Sequence, residues 1–140
     1  MGTRALEQAR TWLGTPYHHQ ASMRGVGCDC LGLIRGVWRA LYGTEPELPP
    51  AYTADWAEAT GEETLLAAAR RNLIEVALAD AGPGDVVLFR MMEKGPAKHA
   101  GIMSGSGRFI HAYSNRAVTE SSLSRWWQAK MVASFTWPEV

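Results

Sequence analysis

The chain has 140 residues, 46% hydrophobic and 20% charged, with 14 basic and 14 acidic side chains and a formal net charge of zero. That size and apolar content suit a single domain over residues 1–140, able to bury a core of its own. The neutral balance leaves no electrostatic footprint for nucleic acid and no basic helix for a membrane surface, and no apolar run approaches a membrane span, so the expected partner is a polar substrate, small or polymeric.

The N-terminus, Thr3-Arg4-Ala5-Leu6-Glu7-Gln8, lacks the order of charge, apolar run and small residues of a secretory signal, and synthesis in the cytoplasm is expected. Leu6, Ala9, Trp12 and Leu13 form an apolar stripe that predicts a helix over Thr3 to Leu13, stopped by Gly14 and Pro16. The loop that follows, Tyr17-His18-His19-Gln20, is dense in hydrogen-bonding side chains. Next, Gly27-Cys28-Asp29-Cys30-Leu31-Gly32-Leu33 closes a polar, glycine-containing segment and opens a helical pattern of Ile34, Val37, Trp38 and Leu41, with Gly43 as its stop. Cys30 falls in the first turn of that helix. The helix dipole and unpaired amides there favour a thiolate and can pull a cysteine pKa of about 8.5 down to roughly 3.5–7.5. Cys28 and Cys30 lie too close in sequence for an unstrained disulfide, and both are expected as thiols.

A proline-rich connection from Glu45 to Pro50 leads through Tyr52–Asp55 into a mainly helical stretch ending at Asn72, interrupted at Gly61, with Leu65, Leu66, Ala69 and Leu73 on its buried face. From there the period changes to that of strands. Expected strands are Ile74–Leu78, Asp85–Arg90, Ala100–Ser104, Arg108–Ala112, Ala117–Ser121 and Met131–Trp137, with turns at Gly82-Pro83-Gly84, Glu93–Pro96, Ser104–Gly107 and Ser114-Asn115, and a helical turn at Ser124–Trp127. Helices first and meandering strands afterwards make an α+β domain with a mostly antiparallel sheet.

His99 stands at the entry to one strand and His111 near the end of the next. A cysteine at a helix start, one histidine to take its proton and a second group to orient that histidine have the nucleophile, base and orienter logic of cysteine peptidases. Loop parity decides whether the histidines can cooperate: a plain two-residue turn at Gly105-Ser106 would put them on opposite faces of the sheet. An odd loop such as Ser104-Gly105-Ser106, or a bulge nearby, puts them on one face, and the odd register is expected, with both imidazoles facing the start of the Cys30 helix. The rival reading is a metal site of His18, His19, Cys28 and Cys30, for which Cys-x-Cys is a weaker signal than Cys-x-x-Cys.

Four ordered segments carry a family resemblance: Gly27 to Leu33, Pro83-Gly84-Asp85-Val86-Val87-Leu88-Phe89, His99-Ala100-Gly101-Ile102, and Phe109-Ile110-His111-Ala112. In order and spacing they resemble the NlpC family of cell-wall cysteine peptidases, over nearly the whole chain. The resemblance implies a papain-like fold that cleaves peptide stems of bacterial peptidoglycan, typically between γ-D-glutamate and a diamino acid, with no cofactor and no metal. Carried over residue by residue, Cys30 is the nucleophile, His99 the general base and His111 the orienting member, while Tyr17, Gln20 and Asp29 belong to the oxyanion and substrate-binding region. The commoner pattern has Ser at Leu31 and Trp-Gly at His18-His19, a departure that touches the substrate pocket more than the nucleophile. Within the family the chain looks most like short, single-domain versions in phage and gene-transfer-agent tail clusters, which implies tail proteins as partners and a particle that carries the enzyme to the wall. Two other outcomes stay open: an amidase or acyltransferase acting on another acyl group, and a structural tail component that has lost activity.

Overall fold

The computed structural model describes residues 1–47, 63–105, 107–113 and 116–139. Helix α1 (Gly2–Arg10) buries Ala5 and Ala9, the small residues of its apolar stripe. It ends before the expected Leu13, because Trp12 and Leu13 donate to the carbonyls of Ala9 and Arg10 in a tightened turn and Gly14, at φ +88°, donates to Val118 O at 2.9 Å. A hydrogen bond to a distant strand has replaced the next helical one. The segment read as loop before Cys30 holds a small antiparallel hairpin, β1 (Ser22–Met23) and β2 (Gly27–Cys28), too short for alternation to reveal it.

Helix α2 (Cys30–Tyr42) starts and stops where the sequence places it, with Asp29 as N-cap and Gly43, at φ 90°, as C-cap. Gly36 lets α1 and α2 close together, since a Cβ there would lie 2.0 Å from Cζ2 of the buried Trp12. Helix α3 (Thr64–Asn72) turns Leu65, Leu66 and Ala69 inward as expected; the earlier part of that stretch, with Tyr52–Asp55 and Gly61, and the Ser114-Asn115 turn lie outside the described residues.

The described strands of the second half are β3 (Ile74–Val76), β4 (Val86–Phe89), β5 (His99–Gly105), β6 (Arg108–Ala112), β7 (Val118–Ser122) and β8 (Met131–Thr136), in the order β3-β8-β4-β5-β6-β7 with every pairing antiparallel. This is the α+β architecture the strand pattern predicts. The first strand stops short of Leu78, because Leu78–Asp80 form a 3-10 turn whose closing bonds are Asp80 N to Ala77 O and Ala81 N to Leu78 O. The helical turn before β8 is α4 (Arg125–Gln128), capped by the Ser124 hydroxyl. Strand alternation gives the sheet two apolar faces. Val86, Leu88, Ala100, Ile102, Ile110, Ala112 and Phe135 meet Leu33, Val37 and Leu41 of α2, whereas Val87, Phe89, Met103 and Phe109 are covered by Trp127, Met91, Leu123 and Met131.

The β5–β6 hairpin carries a bulge. Gly105 pairs with Arg108, but Met103 pairs with Phe109 and Ile102 with Ile110, so Ser104 is an extra residue on β5. Gly105 and Gly107 have φ of 95° and 71°, the left-handed conformation that glycine adopts without strain. Without the bulge, the pairing set at Gly105 would place His111 opposite Ile102. With it, Gly101 falls opposite His111, and His99 and His111 share one face as diagonal neighbours. The expected single face is realised through the bulge, and the two histidines are offset along the strands.

Candidate active site

The first turn of α2 is fastened to the loop before it by the Asp29 carboxylate. Oδ1 accepts from Gly32 N at 2.8 Å, the N-cap bond, and Oδ2 accepts from Gln20 N at 2.7 Å. Gln20 is the one described non-glycine residue with positive φ (65°), a strained conformation held by that bond. Ser22 Oγ donates to Gly32 O at 2.6 Å, and Gly32 itself cannot be larger, because a Cβ would lie 1.9 Å from Ala21 O. Tyr17 joins the same corner through a bridge to Cys28. The loop bearing Tyr17 and Gln20 is thereby pressed against the turn that carries Cys30. Gln20 and Asp29, expected near substrate, bind each other and so set the pose of this loop.

Cys28 is fully buried in the core and Cys30 is only partly covered, and both are free thiols as expected. The Cys30 thiol reaches β5 beside His99, donating to Lys98 O at 3.6 Å, and among the described residues no hydrogen bond joins Sγ to the His99 ring. The body of α2 packs on the sheet face that bears Ala100 and Ile102, while the imidazoles occupy the other face beside Phe89 and Phe109. The start of α2, towards which both rings are expected to face, meets β5 through the Cys30–Lys98 contact at the end of the strand, where β5 pairs with β4 (Phe89 opposite His99) and the β5–β6 ladder has already stopped at Ile102 and Ile110.

His99 Nε2 and His111 Nδ1 lie 2.8 Å apart, and His111 Nε2 lies 2.9 Å from Ser121 Oγ. His111 is opposite Thr119 on β7, so Ser121 is its diagonal neighbour on that side as His99 is on the other, and a line of hydrogen bonds crosses three strands. Gly101 makes the crossing possible: a Cβ there would sit 2.8 Å from Phe109 Cδ2 and 3.3 Å from His111 Cβ. Trp127 packs against both imidazoles, with ring centroids 5.5 and 5.1 Å away. Neither Ser121 nor Trp127 was a candidate from sequence. Strand parity applied to Ala117–Ser121 would have put Ser121 on the histidine face once the bulge was known.

Burial governs the charge states. It pushes the His99 imidazole down to about 3, helped by repulsion from His111, and His111 down to about 4. The Cys30 thiol is raised to about 12, by burial first and then by the Asp29 carboxylate, while the amides of Ala100 and Leu31 pull the other way. The low thiol pKa expected from the helix start is therefore not what the resting site holds: thiol and imidazoles are neutral. Burial, with the potential of Cys30 and Asp29, also raises the Tyr17 phenol to about 12, which keeps its hydroxyl a hydrogen-bond donor. The His18 ring packs over Gly27, His19 bonds Gln20 and Cys28 is in the core; among the described residues no three His, Cys, Asp or Glu side chains converge to hold a metal ion.

The profile of the NlpC/P60 family matches residues 14–136. The chain is 35% identical over 127 residues to the γ-DL-glutamyl hydrolase of Bacillus subtilis (strain 168), covering 90% of this chain and 27% of that protein, so it spans about a quarter of that relative. It is 26% identical over 132 residues to the probable endopeptidase NlpC of Escherichia coli (strain K12), covering 90% of this chain and 75% of the relative. Among solved structures, the NlpC/p60 domain of the peptidoglycan hydrolase SagA superimposes with a TM-score of 0.69 at 20% identity, over 97% of this chain and 98% of that one, and so shares its fold. With its fold, its ordered motifs and the match over residues 14–136 in agreement, this chain belongs to the NlpC/P60 family.

Proposed function

We propose that the protein is a cysteine peptidase that hydrolyses peptide stems of bacterial peptidoglycan at the bond between γ-D-glutamate and a diamino acid. The observation that carries this reading is the pair of imidazoles joined at 2.8 Å beside a thiol at a helix N-terminus. His99 uses Nε2 on His111, which leaves Nδ1 as the nitrogen for the thiol proton. Sγ attacks the carbonyl carbon as its proton passes to Nδ1; the tetrahedral oxyanion takes a hydrogen bond from the Tyr17 hydroxyl; the imidazolium returns the proton to the leaving amine; and water, deprotonated by the same nitrogen, releases the acid. Because thiol and imidazole rest neutral, proton transfer belongs to the attack itself. The names of the Bacillus and Escherichia relatives, a γ-DL-glutamyl hydrolase and a probable endopeptidase, support the bond class.

Asp29-Cys30-Leu31-Gly32-Leu33 with the preceding Tyr17-x-x-Gln20 supports a narrower setting, a phage-like tail particle whose other proteins bring the enzyme to the wall. Incubation of the pure protein with sacculi and defined muropeptides, with mass-spectrometric identification of products, tests the activity. Cleavage on the carboxyl side of γ-D-glutamate, unaffected by EDTA, abolished by Cys30→Ala and retained by Cys28→Ser, is expected. No stem cleavage, with turnover of another amide or ester, would replace it with an amidase or acyltransferase reading, and loss on Cys28→Ser with retention on Cys30→Ala would overturn the nucleophile.

A further inference from the structure

We propose that Ser121 is a positioning residue that selects the imidazole tautomers needed for catalysis, by accepting the His111 Nε2–H as the far end of the line His99, His111, Ser121. The inference rests on the proposed thiol chemistry. For His99 to accept the thiol proton at Nδ1, its other proton must sit on Nε2 and be donated to His111 Nδ1, 2.8 Å away. His111 is then obliged to carry its own proton on Nε2, which points at Ser121 Oγ, 2.9 Å away. The opposite assignment, with His111 donating from Nδ1, blocks His99 by placing its proton on Nδ1. Both assignments are open to two neutral rings at rest, since a hydroxyl can accept or donate. Once His99 is the imidazolium, only the first survives, because Nε2–H must find an acceptor on His111.

Ser121 therefore acts where charge has developed. In the imidazolium state His111 Nε2–H is a donor on a residue that is 2% exposed, and a buried donor without an acceptor is costly. Removing the hydroxyl penalises that state and shifts the resting rings towards the blocked assignment, in which His111 Nε2 carries no proton to place. Ser121, His111 and Thr119 line a cavity of about 340 Å³ together with Tyr113, Arg116, Trp126 and Trp127, so there is room beside Ser121 for a larger side chain. The other titratable groups of that cavity are Arg116 and Tyr113, whose ring centroid lies 5.5 and 5.8 Å from those of His99 and His111.

The test has an arm that does not depend on which bond is cut. In nitrogen-15 spectra of the protein near neutral pH, both rings are expected to populate the Nε2–H form; its absence from the parent, or an unchanged tautomer ratio in Ser121→Ala, overturns the proposal whether or not the protein cleaves peptidoglycan. Ser121→Ala is expected to lower kcat roughly ten- to a hundredfold with little change in KM, as a lost buried hydrogen bond in the charged state requires, and to raise the Nδ1–H population of His99. Ser121→Thr should recover most of the rate. Ser121→Asp places an acceptor-only carboxylate beside His111, which stabilises the imidazolium and should move the acid limb of kcat/KM to higher pH. Activity of Ser121→Ala within twofold of the parent, or a loss expressed only in KM, would refute the role. Should Ser121→Ala fail to fold, the parent spectra and Ser121→Thr still decide.

Discussion

At Gly32 the loop before Cys30 is pressed against the first turn of α2, and Gly32→Ala tests whether that contact holds the candidate site together. The added methyl would start 1.9 Å from Ala21 O and 3.1 Å from Asp29 Oδ1. An ordinary carbon–oxygen contact is about 3.3 Å, so the Ala21 segment must withdraw by roughly 1.4 Å. A movement of that size breaks the 2.6 Å bond from Ser22 Oγ to Gly32 O and the 2.7 Å bond from Gln20 N to Asp29 Oδ2. Overpacking costs about 1–3 kcal/mol and the two lost hydrogen bonds together about 1, against a gain of about 1 from replacing a helical glycine by alanine. The net is about 1–3 kcal/mol, which lowers Tm by roughly 3–12 °C at this chain length. Activity should fall further than stability explains, by more than about tenfold under conditions where the variant is fully folded, because the loop that moves carries Tyr17, the proposed oxyanion donor. Gly82→Ala, where nothing lies within 4 Å of the added carbon, is the control that should change neither quantity. Parental Tm and kcat in Gly32→Ala, measured by thermal melts and muropeptide turnover, would refute the reasoning.

Removal of the proposed proton acceptor in His99→Ala should cost about a hundred- to ten-thousandfold in kcat/KM, whereas His111→Asn, which keeps an acceptor for Nε2–H, should cost less; equal and complete loss in two folded variants would mean the roles are misassigned. Stability should depend on pH through the same pair. The imidazoles are held down at about 3 and 4 in the fold and return to about 6.5 when unfolded, so the unfolded chain binds more protons below pH 6.5. Urea denaturation should show stability falling as pH drops from about 6.5 towards 4, by up to about 1.4 kcal/mol per pH unit for each histidine, and a flat profile between pH 7 and 5 would contradict their neutral burial. The thiols act with the opposite sign: raised to about 12, Cys28 and Cys30 contribute stability that is lost as pH climbs above about 9.

What the sequence made legible were features with a local cause. The start and stop of α2 follow from its apolar period and Gly43, and the sheet follows from alternation between turn residues. The joint face of His99 and His111 could be reached by parity, because glycines at 105 and 107 signal a hairpin that departs from a plain two-residue turn. The bulge at Ser104 could not be placed, since its position depends on which of two pairings buries Phe109 and Ile110 on their proper faces. Ser121 was hidden for the same reason: a serine in a half-exposed strand carries no signal until three strands are in register. The early end of α1 was likewise invisible, being caused by a hydrogen bond from Gly14 to a strand more than a hundred residues away.

The thiol shows how a correct local rule can be outweighed by burial and by an adjoining charge. A helix N-terminus stabilises an anion by about 0.3–1 kcal/mol when exposed and up to about 2 when partly buried. The residue that caps α2 is itself a carboxylate, and its Oδ1 already occupies Gly32 N, one of the amides that would have served a thiolate. Burial raises the thiol most and Asp29 at the adjoining position raises it further, and together they outweigh the dipole. Cys30 accordingly stays protonated and gives its hydrogen to Lys98 O until something replaces that acceptor. In the reaction proposed above, His99 becomes the better acceptor only when negative charge can move from sulfur onto a carbonyl oxygen held by Tyr17, at which point the imidazolium faces a transferred charge and no longer a thiolate next to Asp29. In the proposed reaction, activation therefore waits on a bound acyl group. In the free protein Cys30 is accordingly expected to react slowly with iodoacetamide, and alkylation as fast as that of an exposed cysteine would contradict a protonated resting thiol.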